Sequence, residues 1–402
     1  MPRLVIATVL GLLAAVGLVI EPGGDALAAG ARVGIWGPSV NSGGTSFTNQ
    51  TIRHVVYASS GGTAPRVRLS NLRGTSPLVI GHVDLAEQSL GGITKPGTHH
   101  RLTFGGAGTV TIPAGQERFS DPADMTVIAG QNLLISVYVP GTTGPSTHHP
   151  DSLMTTYLSN AGNFAADDAS TNYPGRLSGW YFLSGLDVVS ASATGTVVAF
   201  GDSITDGYSS TPLTNRRYPD YLARRMWTES GGAPLLGVVN AGLSRNSVLR
   251  DGGPTSGLSA LNRFAHDALS HSGVTRVILL EGINDITTPS NPPVTSWDLR
   301  AAYQTLIDMA HASGVQIYGG TILPFGGSTP YTTAREATRQ ALNNWIRTSG
   351  AFDGVVDYDA ALRDPSNPSA MLPAYAHTDW LHPNDAGMQR MAEEVDLAMI
   401  TS

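Results

Sequence analysis

Cysteine is absent from the 402 residues. That absence excludes disulfides, thiolate catalysis and cysteine-ligated zinc, so stability must come from ordinary burial. Charge is scarce as well: Asp, Glu, Lys and Arg make up 14% of the chain, and the net charge is −7. No basic block stands out, which argues against a nucleic-acid partner. Long helical periodicity is missing from the first half. With 47 Gly and 25 Pro, the chain is rich in turns, and its 41% apolar content suffices for real cores. The length predicts two domains rather than one.

The chain opens with Arg3, an apolar run from Leu4 to Ile20, and the small-x-small sequence Ala26-Leu27-Ala28. This pattern reads as a cleaved signal peptide over residues 1–28. A membrane anchor is the competing reading, but the run barely reaches spanning length and contains Gly11 and Gly17. Export and the lack of a stable anchor after cleavage follow as expectations.

From Arg32 to about Val189, short runs rich in β-formers recur between Gly, Pro, Asn and Ser clusters. Ile52 to Tyr57, Arg66 to Leu69, Leu78 to Leu85, Thr109 to Ile112, Asn132 to Val139 and Trp180 to Leu183 are the strand candidates. Several alternate apolar and polar residues, which predicts a β-sandwich or jelly-roll-like domain over residues 32–190. Ser190 to Gly195 is a short junction, so the two domains are expected to pack together. After Thr196 the pattern changes. Thr196 to Phe200, Leu235 to Val239, Val277 to Leu280, Val315 to Gly319 and Gly354 to Val356 are apolar throughout and alternate with helix-like segments. The clearest helix places Leu299, Ala302, Tyr303, Leu306, Ile307 and Ala310 on one face. Such strands imply a parallel sheet covered on both faces, a three-layer α/β domain over residues 194–402.

Each of these strands runs into a distinctive polar or glycine residue. The first ends at Gly201-Asp202-Ser203, the second at Asn240-Ala241-Gly242, the third at Glu281-Gly282-Ile283-Asn284-Asp285, and Asp379-Trp380-Leu381-His382-Pro383 follows near the C-terminus. Strand ends of a doubly wound sheet converge on one crevice. A serine hydroxyl needs a base, an orienting acid and donors for an oxyanion. His382 can be the base for Ser203, and Asp379 shares its face if the segment makes one helical turn. The Ser203 and Gly242 N–H groups and the Asn284 amide can be the donors. Loss of activity is then expected around pH 6 or slightly above, as His382 protonates.

These four ordered blocks resemble the signature of the SGNH (GDSL) hydrolases, over the second half of the chain. The resemblance implies a flavodoxin-like fold and a serine esterase or lipase that cleaves carboxylic esters through an acyl-enzyme, with no cofactor. It implies Ser203 as nucleophile, Gly242 and Asn284 as oxyanion donors, and His382 as base with Asp379. The wider context is similar to secreted bacterial members in which a β domain precedes the catalytic one, some of them linked to xylan degradation. The serine does not sit in G-x-S-x-G, which argues against the common α/β-hydrolase lipases.

Several other readings are open at this level. Gly-Asp-Ser alone could be a strand-end turn with a helix cap. Asp202, Asp206 and Asp285 read as local hydrogen-bonding residues. His377, a rival base, reads as surface or pocket rim. His99-His100 and His148-His149, with Asp151 nearby, read as solvated loops rather than a metal site. The Asn49-Gln50-Thr51 sequon matters only in a glycosylating host. Arg245, Asn246, Phe325, Trp380 and Leu381 lie near strand ends and are candidate substrate contacts, as is the proline-containing loop from Thr287 to Ser296. The substrate is an ester of a small molecule, a lipid or an acetylated polysaccharide. A carbohydrate O-deacetylase and a polysaccharide-binding protein with a vestigial site are the alternatives.

Overall fold

The computed structural model describes residues 30–402. The expected signal segment and the first apolar run lie outside these residues. The first half folds into antiparallel sheets that share one apolar core. One sheet joins Ala31–Trp36, Leu183–Ser190, Gly62–Ser70 and Glu117–Phe119. The larger one runs Gly175–Leu177, Thr156–Ala161, Thr48–Tyr57, Asn132–Thr142, His82–Leu90 and Ile93–Thr94. Val33, Val67, Leu69 and Leu186 from the first sheet meet Ile52, Leu85, Ile135 and Val137 from the second in this core, as a sandwich requires. The run expected from Leu78 to Leu85 divides at Gly81 into Leu78–Ile80 and His82–Leu90. Gly81 has no room for a side chain, since a Cβ there would lie 2.9 Å from the Tyr138 ring. The run at Trp180 divides too. Phe182 takes a left-handed φ of 60°, which sends Trp180–Tyr181 to Ser146–His149 and Leu183–Ser190 to the first sheet.

The second half is a five-stranded parallel sheet. Its strands are β1 (Thr196–Gly201), β2 (Gly237–Gly242), β3 (Val274–Leu280), β4 (Gln316–Gly320) and β5 (Gly354–Val356), in spatial order 2-1-3-4-5. β1 is buried along its whole length, which explains its uninterrupted apolar sequence. Helices pack in two groups, Tyr218–Thr228 against Asp385–Glu394, and Ala260–Asp267 and Thr333–Thr348 against Ser296–Ala312. The result is a three-layer αβα sandwich. The amphipathic helix lies at Ser296–Ala312, with Leu299, Ala302, Tyr303, Leu306, Ile307 and Ala310 all buried. None of the described helices is long and apolar enough to cross a membrane.

The two halves meet through backbone and buried polar groups rather than across a loose linker. The strand Ala31–Trp36 packs against the starts of β1 and β2 and the segment that precedes β3. Gly34 N–H donates to Ser272 O at 2.8 Å and to Thr196 Oγ1 at 2.9 Å. Val238 N–H donates to Ser59 Oγ at 2.9 Å. The Ser39 hydroxyl donates to Ala241 O at 2.9 Å. Asp187 accepts from Arg32, Arg66 and the Ser272 hydroxyl. At Gly237 a Cβ would lie 2.1 Å from Gly34 O. Gly237→Ala must therefore push two backbones apart, and is expected to cost about 1–3 kcal/mol of stability in denaturant unfolding.

A second consequence concerns pH. His266 Nε2 donates to Glu117 Oε2 at 2.9 Å across the interface, and His266 Nδ1 donates to Asp267 Oδ1 at 2.6 Å. Burial alone would lower the His266 pKa, but the two carboxylates outweigh it and raise it to about 9. A raised folded-state pKa contributes stability that is complete below the unfolded value near 6.5 and is lost as pH rises through about 9. The thermal midpoint is expected to fall between pH 7 and pH 10, and His266→Gln should flatten that decline.

Candidate active site

The nucleophile candidate sits where β1 turns into a one-turn helix, Ser203–Asp206. Gly201 is obligatory here, since a Cβ would lie 2.2 Å from both Leu280 O and Thr205 Oγ1. Asp202 caps the turn by accepting from Ile204 N–H at 2.9 Å. Burial pushes the Asp202 carboxyl up to about 7, and the fully buried Glu281 carboxyl is pushed up by burial and then by Asp202.

Ser203 Oγ lies 2.8 Å from His382 Nε2, and His382 Nδ1 lies 2.7 Å from Asp379 Oδ2. With Nδ1–H donated to the carboxylate, Nε2 is left as the acceptor for the serine proton. The Asp379–His382 segment is a turn and not the expected helical one. Asp379 Oδ1 accepts from the N–H groups of Leu381 and His382, each at 3.0 Å. Trp380 takes a left-handed φ of 56° inside this turn. Burial lowers the His382 pKa below its ordinary value more than Asp379 raises it, and His377 adds to the lowering. For Asp379, burial acts upward, but the His382 and Leu381 contacts hold the carboxyl at about 2. His377 Nδ1 lies 3.5 Å from Asp379 Oδ2, the oxygen that faces His382, half-buried beside the relay.

The oxyanion donors need one correction. Gly242 N–H donates to Asn240 Oδ1 at 2.9 Å and is therefore occupied. The glycine is there because β2 packs directly on the serine helix: a Cβ would lie 2.1 Å from Asp206 N. Three residues on, Arg245 takes a left-handed φ of 63°, and among the described residues its N–H has no hydrogen-bond partner. Ser203 N–H, at the start of its helix, is likewise uncommitted. Asn284 Nδ2 donates one hydrogen to Asn246 O at 2.8 Å, which leaves its second hydrogen free. Ser203 N–H, Arg245 N–H and the Asn284 amide are thus the donors available.

Two expected substrate contacts are core residues instead. Asn246 is fully buried, with Nδ2 donated to Ser256 O and Leu258 O and Oδ1 accepting from Arg263 Nε. Phe325 is fully buried against Tyr331. Arg245 is exposed, Leu381 packs partly on the catalytic core, and half-buried Trp380 lies over Gly327. The loop from Thr287 to Ser296 contributes Pro292, Pro293 and Val294 to an open apolar groove with Leu249 and Leu261. Tyr208, which the sequence did not single out, is 49% exposed with its ring centroid 4.6 Å from that of His382.

The histidine pairs are not solvated loops. His149 is buried and its Nε2 lies 3.0 Å from Asp206 Oδ1, while His148 stacks on Tyr181. His99 bridges Asp84 at 2.5 Å and Asp168 at 3.1 Å. Among the described residues no group of three or more His, Asp or Glu side chains is arranged to hold a metal ion.

Residues 199–390 match the model of the GDSL-like lipase/acylhydrolase family. No curated protein matches the chain in sequence. Solved structures similar to it include a GDSL-like lipase from Bacteroides thetaiotaomicron VPI-5482, 20% identical, with 52% of this chain and 88% of that one covered and a TM-score of 0.37. The native M. smegmatis aryl esterase is 14% identical, with 50% and 95% covered and a TM-score of 0.39. A variant of an acetyl xylan esterase from Geobacillus stearothermophilus is 19% identical, with 50% and 92% covered and a TM-score of 0.37. With the family blocks carried on the strand ends of its parallel sheet, residues 199–390 form a domain of the GDSL-like lipase/acylhydrolase (SGNH) family, and the chain is a carboxylic ester hydrolase.

Proposed function

We propose that the protein is a secreted serine esterase in which Ser203, His382 and Asp379 carry an acyl-enzyme reaction. The observation that carries this reading is the continuous relay from Ser203 Oγ through His382 to Asp379, at 2.8 and 2.7 Å, beside three uncommitted donors. Ser203 Oγ attacks the ester carbonyl carbon as its proton passes to His382 Nε2. The oxyanion that forms accepts from Ser203 N–H, Arg245 N–H and Asn284 Nδ2. The C–O bond breaks and the leaving alcohol takes the proton from His382. Water repeats the sequence on the acyl-enzyme and frees the acid. Export rests on the N-terminal Arg3, apolar run and Ala26-Leu27-Ala28 pattern.

A carbohydrate O-deacetylase is the second reading, favoured by Tyr208. Its half-exposed ring beside His382 offers a flat apolar face on which a sugar can lie. Comparing p-nitrophenyl acetate, a longer acyl ester and acetylated xylan separates the two. Fluorophosphonate labelling of Ser203 separates both from a polysaccharide-binding protein with an inert site.

Ser203→Ala is expected to fold and to lose both turnover and labelling. Asn284→Ala is expected to lower kcat by about 10²–10³, the effect of removing one oxyanion donor. Wild-type activity in either variant defeats the assignment. The pH profile of kcat/KM tests the base. Because burial depresses the His382 pKa, the neutral base persists below pH 6.5, and activity should fall only at more acid pH. A half-maximal point above 6.5 would contradict the buried-base geometry.

A further inference from the structure

We infer that His149, supplied by the β-sheet half, is a positioning residue for the reaction at Ser203, holding the turn Leu243–Asn246 in place through Asp206. The inference rests on the esterase reading and on Arg245 N–H as an oxyanion donor. His149 ends the strand Ser146–His149 and is fully buried, its ring 5.4 Å from that of Trp180. Nδ1 lies 2.9 Å from Ser39 O, a carbonyl that can only accept, so Nδ1 carries a hydrogen. Nε2 lies 3.0 Å from Asp206 Oδ1. The other Asp206 oxygen accepts from Ser244 N–H at 3.1 Å and from the Ser244 hydroxyl at 2.8 Å.

With Asp206 ionised, Nε2 donates to Oδ1 while Nδ1 donates to Ser39 O, and the ring is then an imidazolium paired with a carboxylate. Burial acts to lower the His149 pKa, yet Asp206 more than offsets it and the net shift is upward. The contact sequence is therefore Ser39–His149–Asp206–Ser244, and the next residue along the chain is Arg245.

The placement of Asp206 gives this contact its mechanical meaning. Asp206 is the last residue of the one-turn helix that begins at Ser203. Its carboxylate thus joins the serine helix to the turn that presents the Arg245 N–H. Asn240 makes a parallel tie, donating from Nδ2 to Thr205 O at 2.9 Å. Without the imidazolium, Asp206 is a buried carboxylate with an empty side, and it must reorient or admit water. Either change releases Ser244 and shifts the Arg245 donor relative to Ser203. Displacement of a catalytic group by about 1 Å costs on the order of 10²-fold in rate. Substrate binding, which precedes charge development on the oxygen, is affected far less.

The test uses the full chain, p-nitrophenyl acetate and fluorophosphonate titration of active sites. His149→Gln is expected to lower kcat per titrated site by about 10²-fold, with KM within about twofold of wild type. Unchanged kcat per site overturns the inference. So does a rise in KM at constant kcat, which would make His149 a binding residue. If His149→Gln does not fold, Ser244→Ala removes a single hydroxyl at the other end of the contact sequence. It is expected to lower kcat at unchanged KM, and wild-type kcat there is equally fatal. Wild-type protein that neither hydrolyses esters nor labels defeats the esterase reading and this inference with it. Unaffected variants beside an active wild type defeat the inference alone.

Discussion

The guanidinium of Arg263 is fully buried beneath the catalytic strand ends, and the segments that carry the serine and the candidate oxyanion donors are tied to it. Its NH2 donates to Gly201 O at 2.8 Å, one residue from the serine turn, and reaches Glu281 at 3.2 Å. Its Nε donates to Asn246 Oδ1 at 2.8 Å, and NH1 donates to Ala241 O and to Ser39 Oγ. The Phe200 ring lies 3.9 Å from the guanidinium carbon. One planar cation therefore sets the relative heights of β1, β2 and β3 and of the β-sheet half. Only a delocalised, multiply donating group can do this. A lysine would supply the charge without the fork. Breaking such a buried pair by removing one partner costs about 3–5 kcal/mol in comparable settings.

Around this cation the site sorts its charges by depth. Asp202 and Glu281 lie behind the serine, where burial pushes both carboxyls upward and Arg263 opposes the rise. Asp379 lies at the rim, held near 2 by the groups that donate to it. Its two oxygens have separate tasks, one fixing the backbone turn and the other holding the imidazole. Backbone geometry and ring orientation are thus determined by the same short side chain, one methylene shorter than glutamate. The negative charge closest to His382 is consequently the one that orients it. The deeper carboxyls act through the framework.

Much of this was legible in the sequence because it depends on residue type at strand ends. β1 reads as a buried strand since it is apolar throughout, and Ser203, Asn284, Asp379 and His382 are chemically suited to meet where such strands converge. What was hidden depends on direction rather than position. Asn246 and Phe325 lie near strand ends but point inward, which chain position alone does not reveal. Gly242 looked like a donor, yet its N–H is taken by a side chain two residues away. Arg245 offers a backbone N–H rather than its side chain, and a left-handed φ at a non-glycine residue leaves no mark in composition. His149 is 57 residues from Asp206 in sequence, and the loop-like composition around it concealed a buried strand.

The outer edge of β2 has a meaning beyond catalysis. A parallel sheet normally leaves a row of unpaired N–H and C=O groups along each outermost strand, a template for pairing with another chain. Here Val238 N–H is taken by Ser59 Oγ, Gly242 N–H by Asn240 Oδ1, and the Gly237 backbone lies directly under Gly34. Ser59 of the β-sheet half thus occupies one position of this edge and Asn240 of the strand itself another, which leaves less free backbone for a second sheet to pair with. The β-sheet half is therefore built into the boundary of the parallel sheet through Gly34, Ser39 and Ser59, and its removal would leave Thr196, Val238 and Ala241 without these partners.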